Sequence, residues 1–85
     1  MTYFLYIIEC TNKALYTGIT TDLKRRFNEH KTGNGGHYTA YNPAVKIRYS
    51  KKFPSRSAAS KREAQIKKWP RTKKLALIKE YFGQA

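Results

Sequence analysis

The order of secondary-structure signals along this 85-residue sequence predicts an α+β fold with the element order β-β-α-β-α-α. Two strand-like runs flank a polar turn near the start, an alternating run follows in the middle, and apolar residues spaced three and four apart occur near the end. We therefore expect a three-stranded antiparallel sheet flanked by helices. A chain this short buries only about 60–65% of its unfolded surface, so we expect one domain, residues 1–85, with one modest core.

The first half of the chain predicts a β-hairpin followed by a helix. Residues 3–9 are rich in aromatic and β-branched side chains and predict a strand. A polar turn at residues 11–13 connects it to a second predicted strand, residues 14–19. Asp22, with the two threonines before it, offers an N-capping side chain for a helix that runs to about Lys31.

The second half predicts one strand and two helices. Residues 45–49 alternate apolar and polar side chains, which is typical of a half-buried strand. Ser55 or Ser57 can cap a helix that runs to about Trp69, because Pro70 disfavours its continuation. A last helix is predicted from the apolar residues Leu75, Ile78 and Phe82.

Charge is the strongest compositional signal, with 18 Lys and Arg against 5 Asp and Glu and a formal net charge of +13. Clustered cations gain affinity for phosphates by displacing counterions, so we expect a nucleic-acid partner. An anionic membrane is disfavoured because the basic residues do not segregate along one amphipathic helix. No signal-peptide pattern is visible, so we expect a cytoplasmic location. Cys10 and two histidines cannot make a conventional four-ligand zinc site.

Helical spacing separates two neighbouring arginines. Leu23 and Phe27 form an apolar stripe on the first predicted helix, and Arg26 and His30 share one flank of it. These two side chains are therefore expected to be partly buried and well positioned. The remaining positions project toward solvent and are Lys24, Arg25, Asn28 and Lys31.

Glu63 is isolated among cations on the second predicted helix, where it borders the inward-facing Ala59 and Ile66. It is the only acidic residue between Lys31 and Lys79. One interpretation is an ordinary salt-bridge partner. The other is a metal ligand, because a carboxylate in a phosphate-binding surface repels the substrate unless a cation lies between them. Mg²⁺ or Mn²⁺ fits that place, since it takes one carboxylate, several waters and a phosphate oxygen.

The residues singled out so far resemble a known family. In chain order the elements of the resemblance are Tyr6, Tyr16-Thr17-Gly18, Arg26, His30 and Glu63. Their order and spacing resemble the GIY-YIG nuclease family over nearly the whole chain, and are most similar to its short stand-alone bacterial branch. The combination is far more specific than any single motif.

This resemblance implies a role for each residue. Tyr6 and Tyr16 would line the site and help to activate the attacking water. Arg26 would hold the scissile phosphate and stabilise its developing charge, and His30 would hydrogen-bond to a tyrosine hydroxyl or relay its proton. Glu63 would be the sole protein ligand of one Mg²⁺ or Mn²⁺ ion.

Further residues are expected to contact the substrate. The resemblance implies that Gly18 lets the backbone approach closely beside the two tyrosines. Two aromatic residues after the glycine-rich loop either stack on unpaired bases or anchor the loop. Basic residues of the second helix are most simply phosphate contacts. The full set of expected substrate-binding residues is Gly18, His37, Tyr38, Lys61, Arg62 and Lys67.

The chain also departs from the family pattern. Residues 4–6 contain neither Gly nor Ile, Thr17 replaces an Ile, and no asparagine follows Asn42. These positions mainly shape the hairpin and the back wall of the site.

The expected function is a metal-dependent DNA endonuclease that hydrolyses phosphodiester bonds in repair, recombination or processing. The lack of a groove-reading element favours single-stranded or irregular DNA. Two alternatives remain open: a catalytically silent basic module that binds nucleic acid, and an RNA-associated or ribosome-associated protein. No obligate protein partner is evident from the sequence.

Overall fold

The computed structural model describes residues 1–34 and 41–83. Within them the predicted element order and the α+β fold class are confirmed. The elements are β1 (Tyr3–Cys10), β2 (Leu15–Thr20), α1 (Leu23–Lys31), β3 (Ala44–Phe53), α2 (Arg56–Lys67) and α3 (Arg71–Gly83). None of the helices in this part of the chain is long and apolar enough to span a membrane.

The sheet has the strand order β2-β1-β3, and both neighbouring pairs are antiparallel. In the hairpin, Tyr6 lies opposite Gly18, and Ile8 lies opposite Tyr16. Residues directly opposite each other in an antiparallel pair project to the same face. These four residues therefore share one face of the sheet, which is the face that carries the candidate site.

Both faces of the sheet are buried. On one face Tyr6 and Ile8 pack against Leu23 and Phe27 of α1. On the other, α2 and α3 supply apolar side chains to a cluster formed by Leu5, Ile7, Tyr49, Ile66 and Ile78. Alternate residues of the central strand thus face different helices, which explains why β1 has a nearly continuous apolar sequence.

Strand β3 is longer than the predicted residues 45–49, and its side chains do not alternate as expected. Its pairing with β1 shifts register twice, between Ile7 and Ile8 and between Glu9 and Cys10. Each shift inserts an extra residue into β3, which breaks the period of two. Val45 is therefore 52% exposed rather than half-buried. Arg48, the extra residue at the other shift, forms an ion pair with Glu9.

The helix starts follow the predicted caps. The Asp22 side chain accepts a hydrogen bond from the Arg25 backbone N–H at 3.1 Å, and Ser55 accepts one from the Ala58 N–H at 3.2 Å. The end of α2 differs from the prediction, because the helix stops at Lys67 and not near Trp69. Trp69 nevertheless packs against the core from beyond the helix end.

Candidate active site

Tyr6 and His30 form a buried pair between β1 and the last turn of α1. The Tyr6 hydroxyl lies 2.9 Å from His30 Nε2. Tyr6 is 2% exposed and His30 is 0% exposed, so His30 is more deeply buried than its predicted position on the flank of the helix. Two side chains of the sheet bury the imidazole. The ring centroids of Tyr6 and Tyr16 lie 5.7 and 5.1 Å from the imidazole centroid.

Gly18 provides the space that the Tyr6 ring occupies. It lies across the hairpin from Tyr6, and a Cβ atom placed on it would lie 2.4 Å from the Tyr6 hydroxyl oxygen and 2.6 Å from Cζ. Both distances are far below a van der Waals contact, and the atoms belong to a ring buried on a strand. Glycine is therefore required here by close packing of the tyrosine.

Gly18→Ala is expected to displace the Tyr6 ring and to separate its hydroxyl from His30. Forcing a methyl group into a packed site costs about 1–3 kcal/mol of stability. Chemical denaturation should show this loss, and the Tyr6 ring resonances should shift in NMR spectra. Thr17→Ser, a neighbouring change on the other face of the strand, should leave those ring resonances in place. Unchanged Tyr6 signals in Gly18→Ala would contradict the packing argument.

Arg26 joins the pair from α1. Its side chain is 32% exposed, and Nη1 donates to Glu29 Oε1 at 3.0 Å. The guanidinium also lies close enough to the Tyr6 phenol to lower its pKa. The side chain of Arg25 is 59% exposed by contrast. The predicted difference between the two arginines is thus confirmed: Arg26 belongs to the buried cluster and Arg25 lies in solvent.

Burial controls the protonation of the Tyr6–His30 pair. It raises the pKa of Tyr6 above its ordinary value, although the hydrogen bond and the charge of Arg26 lower it. Burial and the Arg26 charge both lower the pKa of His30. Near neutral pH the imidazole is therefore uncharged and the phenol keeps its proton.

These protonation states fit the geometry of the contacts. An arginine can only donate, so toward the Arg26 guanidinium the Tyr6 oxygen can act only as an acceptor. The Tyr6 hydroxyl proton can then be donated to Nε2 of the neutral His30, 2.9 Å away. Tyr6 Oη is thus the atom at which the two other side chains converge.

Glu63 lies on α2, and its charge has a small effect on Tyr6. After burial, its charge and that of Tyr16 are among the causes that raise the pKa of Tyr6. The carboxylate is half-buried, and its Oε2 lies 3.4 Å from Lys67 Nζ. Both interpretations of Glu63 therefore remain: it has a salt-bridge partner, and it lies near the tyrosine.

The side chains present fit a hard divalent cation that keeps most of its water. In the described ranges, 1–34 and 41–83, no three His, Cys, Asp or Glu side chains are grouped to hold a metal ion. A closed zinc-type or calcium-type site is thus not formed there. Mg²⁺ often binds through one or two carboxylates, with water and substrate phosphate completing the shell. The half-buried Glu63, open to solvent on one side, matches that requirement.

The basic residues of α2 that were expected to contact substrate have different surroundings. Lys61 is exposed, and Lys67 lies beside Glu63. Arg62 is turned away from the cluster: its guanidinium lies 4.9 Å from the Trp69 ring centroid and donates to Gln65 Oε1 at 3.0 Å. His37 and Tyr38 lie outside the described residues.

Glu29 belongs to the site but was missed in the sequence. Its two carboxylate oxygens bind two different arginines, Oε1 to Arg26 at 3.0 Å and Oε2 to Arg25 at 3.3 Å. Helical spacings of three and four residues signal such pairs. That signal was available in the sequence and could have predicted the contact.

Comparisons with known proteins show the family and the fold of this chain. A family model described as the GIY-YIG catalytic domain matches residues 2–76. A UPF0213 protein of Streptococcus agalactiae is 45% identical over 81 residues, covering 95% of this chain and 92% of that protein. A UPF0213 protein of Haloquadratum walsbyi is 44% identical over 78 residues, covering 92% and 88%. The solution NMR structure of a UPF0213 protein from Bacillus halodurans superposes with a TM-score of 0.60 at 36% identity, covering 93% of this chain and 84% of that one.

Proposed function

Because the chain belongs to the GIY-YIG family of nucleases, we propose that it is a metal-dependent endonuclease that hydrolyses DNA phosphodiester bonds. One observation carries the proposal: the Tyr6 hydroxyl lies 2.9 Å from His30 Nε2, and the guanidinium of Arg26 acts on the same hydroxyl and lowers its pKa. A structural tyrosine would need only one such partner. A histidine and an arginine at one buried hydroxyl provide a proton acceptor and a fixed positive charge, which suit a site that moves a proton.

Tyr6 and His30 would together take the proton of the attacking water. As the Tyr6 oxygen accepts a proton from water, its own hydroxyl proton passes to His30 Nε2. This transfer needs an uncharged imidazole, and the lowered pKa of His30 provides one at neutral pH. Tyr16 packs against the imidazole and keeps it in place.

Arg26 and Glu63 would act on the phosphate. Arg26 keeps its charge at any working pH, and its forked donors suit a phosphate oxygen on which negative charge develops. Glu63 would hold one Mg²⁺ or Mn²⁺ ion, which supplies positive charge to the phosphate and the leaving oxygen when bound. Lys67, now paired with Glu63, would be free to contact a phosphate once a cation takes the carboxylate.

The proposed substrate class rests on the charge of the protein. The net charge of +13 favours a polyanion held by many phosphate contacts. We propose single-stranded or irregular DNA as the substrate, because no groove-reading element is evident in the sequence. A role in DNA repair, recombination or processing is part of the same proposal.

One observation favours a second function, that of a catalytically silent nucleic-acid-binding module. The ion pair between Glu63 and Lys67 neutralises the expected metal ligand without any metal. In such a module the basic surface would bind nucleic acid and the Tyr6 cluster would serve folding alone.

A substrate panel separates these functions. Purified protein is incubated with end-labelled single-stranded DNA, duplex DNA, branched DNA and RNA, each with Mg²⁺, Mn²⁺ or EDTA. We expect cleavage of single-stranded or branched DNA with metal and none with EDTA. Binding without cleavage under every condition would support the silent module, and cleavage of RNA alone would support the RNA-associated alternative.

A further inference from the structure

Glu29 lies between two arginines on the exposed side of the Tyr6 cluster. Its oxygens accept from Arg26 at 3.0 Å and from Arg25 at 3.3 Å. Arg25 is also 3.9 Å from Asp22. The carboxylate thus has one arginine on each oxygen. The pair with Arg25 is exposed and contributes little to stability, whereas the pair with Arg26 is part-buried and geometrically better defined.

The contact with Arg26 is part of a longer chain of interactions. Glu29 accepts a hydrogen bond from Arg26, the Arg26 guanidinium lies near the Tyr6 phenol and lowers its pKa, and the Tyr6 hydroxyl lies 2.9 Å from His30 Nε2. A long, flexible arginine side chain is oriented only where its planar fork is held at more than one point. Glu29 and Tyr6 supply those two points, on either side of the guanidinium.

The negative charge of Glu29 weakens substrate binding, even though its contact with Arg26 would assist the chemical step. Any phosphate that approaches Arg26 also approaches this carboxylate, and the two negative groups repel each other. The same residue would therefore assist the chemical step and weaken the binding of DNA.

We propose that Glu29 is a positioning residue that holds the Arg26 guanidinium against the Tyr6 hydroxyl, at a cost in affinity for the phosphate backbone. This proposal rests on the proposed nuclease function. It assigns Glu29 no contact with the reacting atoms. Its signature is a pair of opposite effects, in which loss of the carboxylate slows cleavage while DNA binding stays equal or becomes tighter.

The kinetic test compares Glu29→Ala, Glu29→Gln and the matched control Glu80→Gln. Glu80 is an exposed glutamate on α3 beside Tyr49, so its replacement removes the same charge away from the cluster. We expect Glu29→Ala to lower the single-turnover rate by about tenfold or more, in the range of a lost charge-assisted hydrogen bond. Glu29→Gln keeps one acceptor oxygen for Arg26 and should retain more of the rate, whereas Glu80→Gln should cleave as fast as the wild type.

Affinity is measured in the same variants with a DNA whose scissile linkage is uncleavable. Glu29→Ala should bind it at least as tightly as the wild type does. Wild-type cleavage by Glu29→Ala, or a rate loss that is fully explained by weaker binding, would overturn the proposal. Circular dichroism and thermal melting confirm that each variant is folded.

A second readout does not depend on activity. The Arg26 side-chain Nε–Hε signal, assigned from its loss in Arg26→Lys, reports whether the guanidinium is ordered. It should show restricted motion in the wild type and in Glu80→Gln, and averaged motion in Glu29→Ala. Unchanged order in Glu29→Ala would overturn the positioning role. If the wild type cleaves no nucleic acid, the proposed function fails, and this measurement still decides whether Glu29 orders Arg26.

Discussion

Arg26→Ala is expected to lower the single-turnover cleavage rate by two or more orders of magnitude, about 3 kcal/mol of transition-state stabilisation. Arg25→Ala is expected to leave that rate nearly unchanged and mainly to weaken DNA binding. The two residues have the same charge and are neighbours in sequence. Only Arg26 is half-buried and near enough to Tyr6 to lower its pKa, whereas Arg25 is exposed.

The measurement is cleavage at saturating enzyme for both variants, with circular dichroism to confirm that each is folded. A surface that acts only through charge would lose similar amounts with either arginine. Arg25→Ala should also reduce the salt dependence of binding by about one counterion, as a phosphate contact does. Equal rate losses in the two variants would mean that the cluster on α1 is a solvated basic face and not an active site.

Glu63→Gln is expected to abolish cleavage and to leave DNA binding unchanged or slightly tighter. Loss of the carboxylate removes the only protein ligand proposed for the metal, and with it several kcal/mol of transition-state stabilisation. Binding is maintained because a negative charge is removed and Lys67 is released from its ion pair. Cleavage and equilibrium binding are measured on the same DNA, with binding in the absence of divalent cations.

Lys67→Gln is the matched control for Glu63→Gln, because it breaks the same ion pair from the other side. If Glu63 served only as the partner of Lys67, both variants would lose the same function. We expect Lys67→Gln to keep cleavage and to bind DNA slightly less tightly. Cleavage by Glu63→Gln at the wild-type rate would remove Glu63 from the proposed site.

The parts of the fold that sequence predicts well are those with local causes. Caps such as Asp22 and Ser55 form within one turn of helix, and the strand β1 is evident from its apolar run. Strand β3 was only partly predicted, because its two register shifts depend on its pairing with β1. The alternation of apolar and polar residues in β3 does not reveal where its pairing with β1 leaves an extra residue in β3.

In the candidate site, too, the features with local causes could be predicted, whereas those that depend on residues distant in sequence could not. The flank position of Arg26 followed from helical spacing, but the complete burial of His30 did not, because the rings that enclose it come from two strands distant in sequence. The raised pKa of Tyr6 was also missed, since it depends on how strongly burial outweighs Arg26. Glu29 was overlooked despite a local signal.

The most direct test of the central claim is single-turnover cleavage by the wild type and by Tyr6→Phe, each with Mg²⁺ and with EDTA. The substitution removes the one oxygen at which Arg26 and His30 converge and leaves the ring in place. Leaving His30 without that partner costs about 1–3 kcal/mol of stability, so thermal melting must show both proteins folded. Purifying the two in parallel also excludes a contaminating nuclease.

We predict cleavage by the wild type with Mg²⁺, none with EDTA, and a rate at least about a hundredfold lower for Tyr6→Phe, which still binds DNA as the wild type does. Equal cleavage by the two proteins, or cleavage that EDTA does not stop, would contradict the assignment of this cluster as a metal-dependent active site.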